Sequence, residues 1–183
     1  MDIINLDIPG CFLVTPKIIS DERGHFVKVY KESDFYRAGI EFKFEEEYYS
    51  VSNQGVIRGM HFQVPPHDHC KMVYCPKGAV FDAFVDLRKG SPTYLESRCT
   101  QLTEVNGGIL ILAKGIAHGF CSLEDGTVMV YKTTSEYQPS GDCGVLWDSC
   151  GIQWPAIMNA KSLSDRDKSF PALKVFESPF VLK

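Results

Sequence analysis

The amino-acid sequence predicts an all-β protein of the jelly-roll type, a β-sandwich or barrel with a few short helices. Short segments rich in β-branched and aromatic residues follow one another along the chain, and Gly, Pro and Asn residues separate them. No internal repeat or low-complexity segment interrupts this pattern. At 183 residues, the chain is long enough to bury a real core, and we expect one domain over residues 1–183.

Several segments have the composition of β-strands, and turn-forming residues bound each of them. They are residues 11–19, 25–31, 42–52, 56–63, 71–75, 79–87, 95–103, 109–113, 117–120 and 128–134. Two of the turns, PKG at 76–78 and DG at 125–126, are typical of β-hairpins. The VPP at 64–66 predicts a loop, because proline lacks the N–H group that a strand ladder requires.

Two segments have the pattern of short helices. Residues 32–38 form the first, and Gly39 ends it because glycine readily adopts the conformation that follows a helix. Residues 159–168 form the second, which Pro171 closes. The strands therefore define the predicted fold.

Composition and charge exclude several classes of protein. The formal net charge of −4 and the pI near 5.7 argue against binding to nucleic acid, although a local pocket for phosphate is compatible with them. No apolar run is long enough to span a membrane, and residues 1–10 lack the regions of a signal peptide. We therefore expect a cytoplasmic protein that binds neither nucleic acid nor a membrane.

The pattern of cysteines is consistent with the expected cytoplasmic location. Seven of them are scattered along the chain without a C-x-x-C pair. This pattern argues against a disulfide framework and favours small buried thiols in a reducing compartment.

Polar side chains concentrate between Gly55 and Gly78, in a region that otherwise resembles two β-strands. They are Arg58, His61, Gln63, His67, His69 and Lys71. A strand presents alternate side chains to one face, so this run indicates a lined cavity rather than a plain core. Arg58 and His61 would lie on opposite faces of a regular strand, and Gly59 between them predicts a bulge that turns one of them inward.

The strand at 79–87 also alternates, with apolar side chains on one face. Asp82, Asp86 and the following Arg88 share the other face with Phe84. Two acids and a base on one face predict either exposure to solvent or a polar cavity.

The histidines allow a metal site as one interpretation. His67 and His69, with the distant His118, would supply three imidazoles from neighbouring strands, as in metal-binding cupins. Those cupins carry a glutamate soon after the histidine pair, whereas Lys71 follows here and would repel a cation. We therefore predict no metal, with a metal-dependent cupin as the alternative.

Several motifs occur in an order and spacing that resemble the dTDP-4-dehydrorhamnose 3,5-epimerase family. They are RGMHFQVPPH, KMVYCPKGAVFDAFVDLRKGSPTY, AKGIAHGF, VMVYK, VLWDS and LSDRD, and they extend over nearly the whole chain. The resemblance implies a cupin-like jelly-roll homodimer that inverts C3, C5 or both in a nucleotide-diphosphate 4-keto-6-deoxy sugar without a cofactor. The sugar, a hexose or a heptose, would be destined for a surface polysaccharide.

The C4 ketone of such a sugar acidifies the hydrogens on C3 and C5, so a base can remove one as a proton and leave an enolate. The resemblance implies His61 as this base, Tyr131 as the proton donor on the opposite face, and Lys71 as the cation beside the enolate oxygen. Asp167 would orient His61 and stabilise its imidazolium, with Asp165 as the alternative.

The resemblance also implies a set of substrate-binding residues. Arg23 and Arg58 suit the diphosphate, because a guanidinium can bind phosphate oxygens through two hydrogen bonds. His118 would lie near the sugar or the diphosphate, oriented by Asp82. The remaining members of the set are Phe26, Lys28, Glu46, Tyr48, Tyr137, Asp142 and Arg166.

The sequence departs from the family at positions that would contact the nucleobase. Lys28 stands where the family usually has a glutamate, and Glu46 and Tyr48 stand where it usually has a Gln-x-Asn pair. A carboxylate such as Glu46 would match the adjacent N–H donors of guanine, which makes a GDP-linked substrate one hypothesis. A Lys28–Glu46 ion pair that still permits dTDP binding is the equal alternative.

Two other functions are compatible with the same fold. A jelly roll of this kind would also serve as a sugar-nucleotide-binding module, or as a ketoisomerase that acts on a 4-keto sugar. The presence of both His61 and Tyr131 favours the epimerase, because the isomerase relatives use a different proton donor.

Overall fold

A computed structural model describes residues 1–159 and 162–182 of the chain. These residues form thirteen β-strands and two short α-helices, with 3₁₀ turns at Trp147–Ser149 and Leu173–Val175. The strands are β1 (Asp2–Asn5), β2 (Phe12–Thr15), β3 (Ile18–Asp21), β4 (Gly24–Val27), β5 (Glu46–Ser52), β6 (Ile57–Gln63), β7 (Lys71–Lys77), β8 (Ala79–Asp86), β9 (Ser97–Thr103), β10 (Ile109–Leu112), β11 (Ile116–Ser122), β12 (Thr127–Thr133) and β13 (Asp142–Gly144). The helices are α1 (Glu32–Arg37) and α2 (Asp165–Lys168). Within the described ranges, neither helix has the length and apolar character needed to cross a membrane.

Two large antiparallel sheets contain most of these strands. One has six strands in the order β1-β2-β10-β7-β12-β5, and the other has five in the order β13-β6-β11-β8-β9. β3 and β4 form a separate two-stranded hairpin. The two large sheets pack face to face as a jelly-roll sandwich, so the predicted fold class is confirmed.

The main core lies between the two large sheets. Val73 and Leu110 extend into it from the six-stranded sheet, and Phe84 and Phe120 extend into it from the five-stranded sheet, all at most 2% exposed. Tyr131 belongs to the same cluster. Two further clusters cover the outer faces, one under the C-terminal segment and one under α1. Because burial of such side chains is the main favourable contribution to folding, this layer sets the spacing of the sheets.

The hairpins predicted at 76–78 and 125–126 are wrong. β7 lies in the six-stranded sheet and β8 in the five-stranded sheet, so the chain crosses between layers at Gly78. β11 and β12 are divided between the sheets in the same way. Turn residues mark a reversal of the chain, but the sheet that the next strand joins depends on where it can bury its apolar face.

Several predicted strand boundaries also differ from the structure. The predicted strand at 11–19 is two strands, β2 and β3, separated at Pro16, which cannot donate to a ladder. The predicted strand at 25–31 ends at Val27, and the one at 42–52 begins at Glu46. The sequence does not predict β1 or β13, because strands of four and three residues are too short to show a period.

The two helix predictions have different outcomes. The first is confirmed as α1, and Gly39 follows it with a φ of +74°. The second is largely wrong, because α2 begins only at Asp165 and residues 159, 163 and 164 are not helical. Residues 160–161 lie outside the described part of the chain. The side chain of Ser164 accepts a hydrogen bond from the Asp167 N–H, which caps the helix at this point.

The bulge predicted at Gly59 is confirmed. In the ladder between β6 and β11, His61 faces His118 but Arg58 faces Phe120, so β6 contains one extra residue. Gly59 has a φ of +145°, and a Cβ atom there would lie 2.5 Å from the Cα of Gly119. Only glycine fits this conformation and this close approach. As a result, Arg58 and His61 both line the same cleft.

The polar face of β8 points into the molecule. Asp82 and Asp86 are completely buried, and Arg88 is only 5% exposed. Asp86 accepts hydrogen bonds from Arg88, Ser91 and Thr93, which compensate for the burial of its charge. Exposure of this face to solvent, one of the two predicted alternatives, is therefore wrong.

Candidate active site

A cleft opens between the two large sheets. Its volume is about 360 Å³, which suits a small organic ligand. Both sheets and the segments around β13 contribute to the lining: Glu46, Tyr48, Ser50, Arg58, His61, Phe62, Gln63, His69, Lys71, His118, Phe120, Tyr131, Thr133, Tyr137, Asp142 and Arg166. Charged and aromatic side chains thus surround a space of the right size for a sugar.

His61 is held by a buried carboxylate. Its Nε2 lies 2.9 Å from Oδ1 of Asp167, whose Oδ2 accepts a hydrogen bond of 3.3 Å from the Gly59 N–H. Burial lowers the pKa of His61 below its usual 6.5, although the carboxylate opposes that shift. Burial would raise the pKa of Asp167, but the contact with His61 outweighs it and leaves that pKa below its usual value. The imidazole is therefore neutral at pH 7 and the carboxylate is charged.

The alternative partner, Asp165, is not near His61. Its side chain is fully exposed and pairs with Lys168 on the surface of α2. Asp167 lies on the other side of α2 from Asp165, because a separation of two residues in a helix rotates the side-chain direction by more than half a turn. The contact with His61 therefore belongs to Asp167.

Tyr131 is a buried phenol on β12. It is 8% exposed, its ring stacks on that of Tyr48, and the edge of His118 approaches it. Burial raises the pKa of Tyr131 far above its usual value of 10.0. This side chain is therefore a neutral hydroxyl that can donate a proton.

Lys71 is a buried cation on β7. It is 7% exposed, and its Nζ donates a hydrogen bond of 2.9 Å to the backbone carbonyl of His61. Burial lowers the pKa of Lys71 to about 8, although Asp142 and Asp82 partly oppose the shift. The ammonium group is thus charged at pH 7 but poorly compensated, and it is suited to bind a negative oxygen.

The groups with acid–base chemistry come from facing sheets. His61 and His118 belong to β6 and β11 of the five-stranded sheet, whereas Lys71 and Tyr131 belong to β7 and β12 of the six-stranded sheet. A ligand between the sheets would meet an imidazole on one side and a phenol on the other. This arrangement can remove a proton, stabilise the resulting anion and return a proton from another direction.

A hydrogen bond to a buried carboxylate fixes the position of His118. Its Nε2 lies 2.8 Å from Oδ2 of Asp82, and both side chains are almost completely buried. Burial raises the pKa of Asp82, with His118 opposing that shift. The pairing has the geometry that the sequence predicts.

Polar groups ring the mouth of the cleft. Arg58 donates to Oγ of Ser52 at 3.1 Å. Asp142 pairs with Arg166 and accepts a hydrogen bond of 3.1 Å from the Tyr137 hydroxyl. Glu46 also lies here, where its carboxylate accepts a hydrogen bond from the backbone N–H of Tyr137. The charged and polar side chains at the mouth are thus already oriented to bind a charged ligand.

Three of the predicted binding residues do not lie at this cleft. Arg23 and Phe26 are exposed on the β3–β4 hairpin, Lys28 is exposed just after it, and none of them is among the lining residues. The Arg23 guanidinium pairs with Asp21 of the same hairpin. Within one chain, these residues therefore do not contribute to the cleft.

Ser50, a polar lining residue, was not predicted, and it lies on the same face of β5 as Glu46 and Tyr48. The period of two would have found it, because alternate residues of an extended chain share a face. His69, in the polar run that predicts a lined cavity, lies two residues before Lys71 and lines the cleft. Gln63 also lines the cleft and donates to the carbonyl of His67 at 2.9 Å.

The histidines of the predicted metal alternative do not converge. His69 and His118 line the cleft, but their ring nitrogens contact Gln63 at 3.0 Å and Asp82 at 2.8 Å. His67 is not among the lining residues. Over residues 1–159 and 162–182, no group of three His, Cys, Asp or Glu side chains is placed to hold a metal ion. These residues do not fit the metal-dependent interpretation.

Known proteins are similar to this chain in both sequence and fold. A dTDP-4-dehydrorhamnose 3,5-epimerase of Shigella flexneri is 39% identical over 170 residues, which cover 91% of this chain and 93% of the relative. The crystal structure of such an enzyme from Bacillus anthracis, with TDP and PPi bound, has a TM-score of 0.89 at 35% identity and covers 94% of this chain and 99% of its own. The crystal structure of a dTDP-6-deoxy-D-glucose-3,5-epimerase from Legionella pneumophila, in complex with dTDP-4-keto-L-rhamnose, has a TM-score of 0.89 at 31% identity over 96% of this chain and 94% of its own. With the jelly roll and its cleft, these relatives define a sugar-nucleotide epimerase.

A family model identifies the family within this class of enzyme. The model described as dTDP-4-dehydrorhamnose 3,5-epimerase matches residues 5–175. The chain belongs to this family. The metal-dependent cupin, the ketoisomerase and the binding module are not favoured by these comparisons.

Asp167→Asn should lower the pKa of His61 further, because it removes the charge that stabilises the imidazolium. NMR titration of the histidine rings in the free protein measures this shift. Asp165→Asn is the matched control, since that carboxylate is fully exposed and pairs with Lys168. An unchanged His61 pKa in the first variant, or an equal fall in the second, would contradict the pairing.

Proposed function

We propose that this protein inverts C3 and C5 of a dTDP-linked 4-keto-6-deoxy sugar through an enolate. One observation carries the proposal: a carboxylate-held imidazole and a neutral phenol approach the same cleft from opposite sheets, with the Lys71 ammonium beside it. The Legionella relative bound to a dTDP 4-keto sugar supports this class of substrate. No metal or organic cofactor is needed for such proton transfers.

His61 is the base in this mechanism. Because Nε2 contacts Asp167, Nδ1 is the nitrogen left to take a proton from C3 or C5 of the sugar. The C4 ketone makes those hydrogens acidic, and the electron pair of the broken C–H bond moves onto the C4 oxygen. Asp167 then stabilises the imidazolium that forms, as an acid partner does in other proton relays.

Lys71 and Tyr131 complete the cycle. The ammonium of Lys71 lies where it can bind the negative C4 oxygen, and a charge-assisted hydrogen bond in a buried site strongly stabilises such an anion. Tyr131 donates its proton to the carbon from the side opposite His61, which inverts the centre and leaves a phenolate. Exchange with solvent then removes the proton from His61 and returns one to Tyr131. Burial keeps the phenol protonated before this step.

Arg58 and the residues at the mouth bind the diphosphate. Arg58 is exposed but anchored by Ser52 and by the backbone carbonyl of Val51, so its guanidinium is oriented for phosphate oxygens. His118, held by Asp82, borders the same cleft and suits a sugar hydroxyl. Tyr137 and Arg166 close the mouth through their shared contact with Asp142.

Thymine is the base that we propose, although the sequence allows guanine equally. The solved relatives with TDP or a dTDP sugar bound support it. The Glu46 carboxylate, which the guanine hypothesis assigned to the base, accepts the Tyr137 N–H and therefore has a role in closing the mouth. In the described residues of one chain, Lys28 does not form the alternative ion pair with Glu46.

The protein acts as a homodimer in this proposal. The β3–β4 hairpin stands apart from both large sheets and exposes Ile19 and Phe26, at 52% and 60%. β5 is an edge strand of the six-stranded sheet and exposes Tyr49 and Val51, at 69% and 54%. Apolar side chains at a free sheet edge favour association, and a two-fold pairing would carry Arg23 to the cleft of the partner.

We place this reaction in the cytoplasm. All seven cysteines are free thiols, and Cys99 is exposed, which suits a reducing compartment. The product would supply the synthesis of a surface polysaccharide.

His61→Ala should abolish exchange of solvent deuterium at both C3 and C5, with a loss of about 10²- to 10⁴-fold, because His118, the other imidazole of that sheet, is held by Asp82 and is assigned to a sugar hydroxyl. Tyr131→Phe should lower inversion more than exchange, since His61 still removes the proton. Incubation in D₂O with a dTDP-4-keto-6-deoxy sugar and NMR of both carbons measures these rates. His67→Ala is the control and should exchange like the wild type; exchange that persists without His61 would refute the mechanism.

The value of kcat/KM should fall at both acidic and alkaline pH. It should fall at acidic pH, below 6.5, as His61 is protonated, and it should fall as the pH rises through about 8, as Lys71 loses its charge. Tyr131 cannot cause the second fall, because burial raises its pKa. Lys71→Arg should remove the alkaline fall, since a guanidinium stays charged, and Lys71→Met should lower kcat by about 10²- to 10³-fold. An alkaline fall that is unchanged in Lys71→Arg would exclude this role.

Calorimetry should show tighter binding of dTDP than of GDP to the wild-type protein. Glu46→Gln should keep that preference, because the amide oxygen can still accept the Tyr137 N–H. If the wild-type protein binds GDP more tightly than dTDP and the Glu46→Gln variant loses that preference, the result would instead show that the Glu46 carboxylate recognises guanine.

Mixed dimers test whether Arg23 acts in the partner. Arg23→Ala and His61→Ala should each impair a homodimer, but refolding the two together should restore about a quarter of the wild-type sites, because half of the dimers would be mixed and each would have one intact site. Sedimentation measures the dimer, and exchange measures the activity. A mixture no more active than its components would show that Arg23 does not act across the dimer.

A further inference from the structure

Tyr48 lies directly opposite Tyr131 in the ladder between β5 and β12. Their rings are nearly parallel, with centroids 4.8 Å apart and an interplanar angle of 12°. Directly opposite residues on adjacent antiparallel strands are the pairs that interact most closely in a sheet. The side chain of Tyr48 therefore covers one face of the phenol that donates the proton.

Tyr131 is held on a second side by His118. The two rings meet edge to face, with centroids 6.2 Å apart and an angle of 73°, and His118 is itself anchored to Asp82 at 2.8 Å. Tyr48 is the outer member of this column, at 42% exposure against 8% for Tyr131. It separates the ring of the acid from the solvent at the mouth of the cleft.

We propose that Tyr48 is a positioning residue for the reprotonation step: its ring holds the Tyr131 phenol in the orientation that returns a proton to the enolate. This inference rests on the proposed role of Tyr131 as the acid. Tyr48 itself transfers no proton. Its contribution comes from the stack, which restricts rotation of the Tyr131 ring and excludes water from one of its faces.

The proposal separates two steps of the reaction. Removal of a proton by His61 takes place from the five-stranded sheet and does not depend on the stack. Return of a proton from Tyr131 does depend on it. Loss of the ring at position 48 should therefore lower inversion more than it lowers solvent exchange at the same carbon.

The test compares Tyr48→Ala with Tyr48→Phe, alone and combined with Tyr131→Phe. Tyr48→Ala should reduce the ratio of inversion to exchange about 3- to 10-fold, whereas Tyr48→Phe, which preserves the ring, should retain the ratio. In the Tyr131→Phe background, Tyr48→Ala should have no further effect on the ratio, because its target is gone. Equal losses in Tyr48→Ala and Tyr48→Phe, or a rise in KM with the ratio unchanged, would overturn the proposal.

A second measurement needs no substrate, so it stands even if the proposed reaction is wrong. The flip rate of the Tyr131 ring, read from the NMR line shapes of ring-labelled tyrosine, should rise in Tyr48→Ala and not in Tyr48→Phe. An unchanged flip rate in Tyr48→Ala would overturn the positioning role. Wild-type protein that is inactive on dTDP 4-keto sugars would instead overturn the proposed function.

Discussion

The close approach of Gly59 to Gly119 sets the geometry of the cleft. A side chain on Gly59 would collide with the neighbouring strand, so β6 can bulge toward β11 only with glycine at this position. The bulge turns Arg58 and His61 toward the same space. It also points the Gly59 N–H at the carboxylate of Asp167, which in turn holds His61. One backbone constraint thus aligns an imidazole, the carboxylate that holds it and a guanidinium at the same cleft.

Burial of charge gives the cleft its reactivity. Desolvation lowers the pKa of Lys71 and of His61 and raises that of Asp82 and of Tyr131. The shifts of His61 and Tyr131 favour a neutral imidazole and a protonated phenol, the forms that the proposed reaction needs. The shift of Lys71 means that burial destabilises its ammonium, which therefore gains from an anionic ligand. The sandwich core provides the apolar surroundings, and Tyr131 belongs to both the core and the cleft.

β5 supports the cleft from the edge of the six-stranded sheet. Two of its inward side chains contact cleft residues: Tyr48 stacks on Tyr131, and Ser52 accepts a hydrogen bond from Arg58. The strand that carries these contacts also has the free edge at which we propose that a second chain associates. Dimerisation and orientation of the site would therefore be linked through one strand.

The jelly-roll class, helix α1, the bulge at Gly59 and the membership of His61, Lys71 and Tyr131 in one cleft were predictable from the chain alone. Each depends on local information: the period of two, turn residues, a single glycine, and motifs read in register. The crossing of β7 and β8 between sheets, the exclusion of Asp165 as the alternative partner of His61, and the stack of Tyr48 on Tyr131 were not predictable in this way. These features depend on which apolar faces pack together and on contacts between residues far apart in the chain, and such contacts exist only once the two sheets have closed on each other.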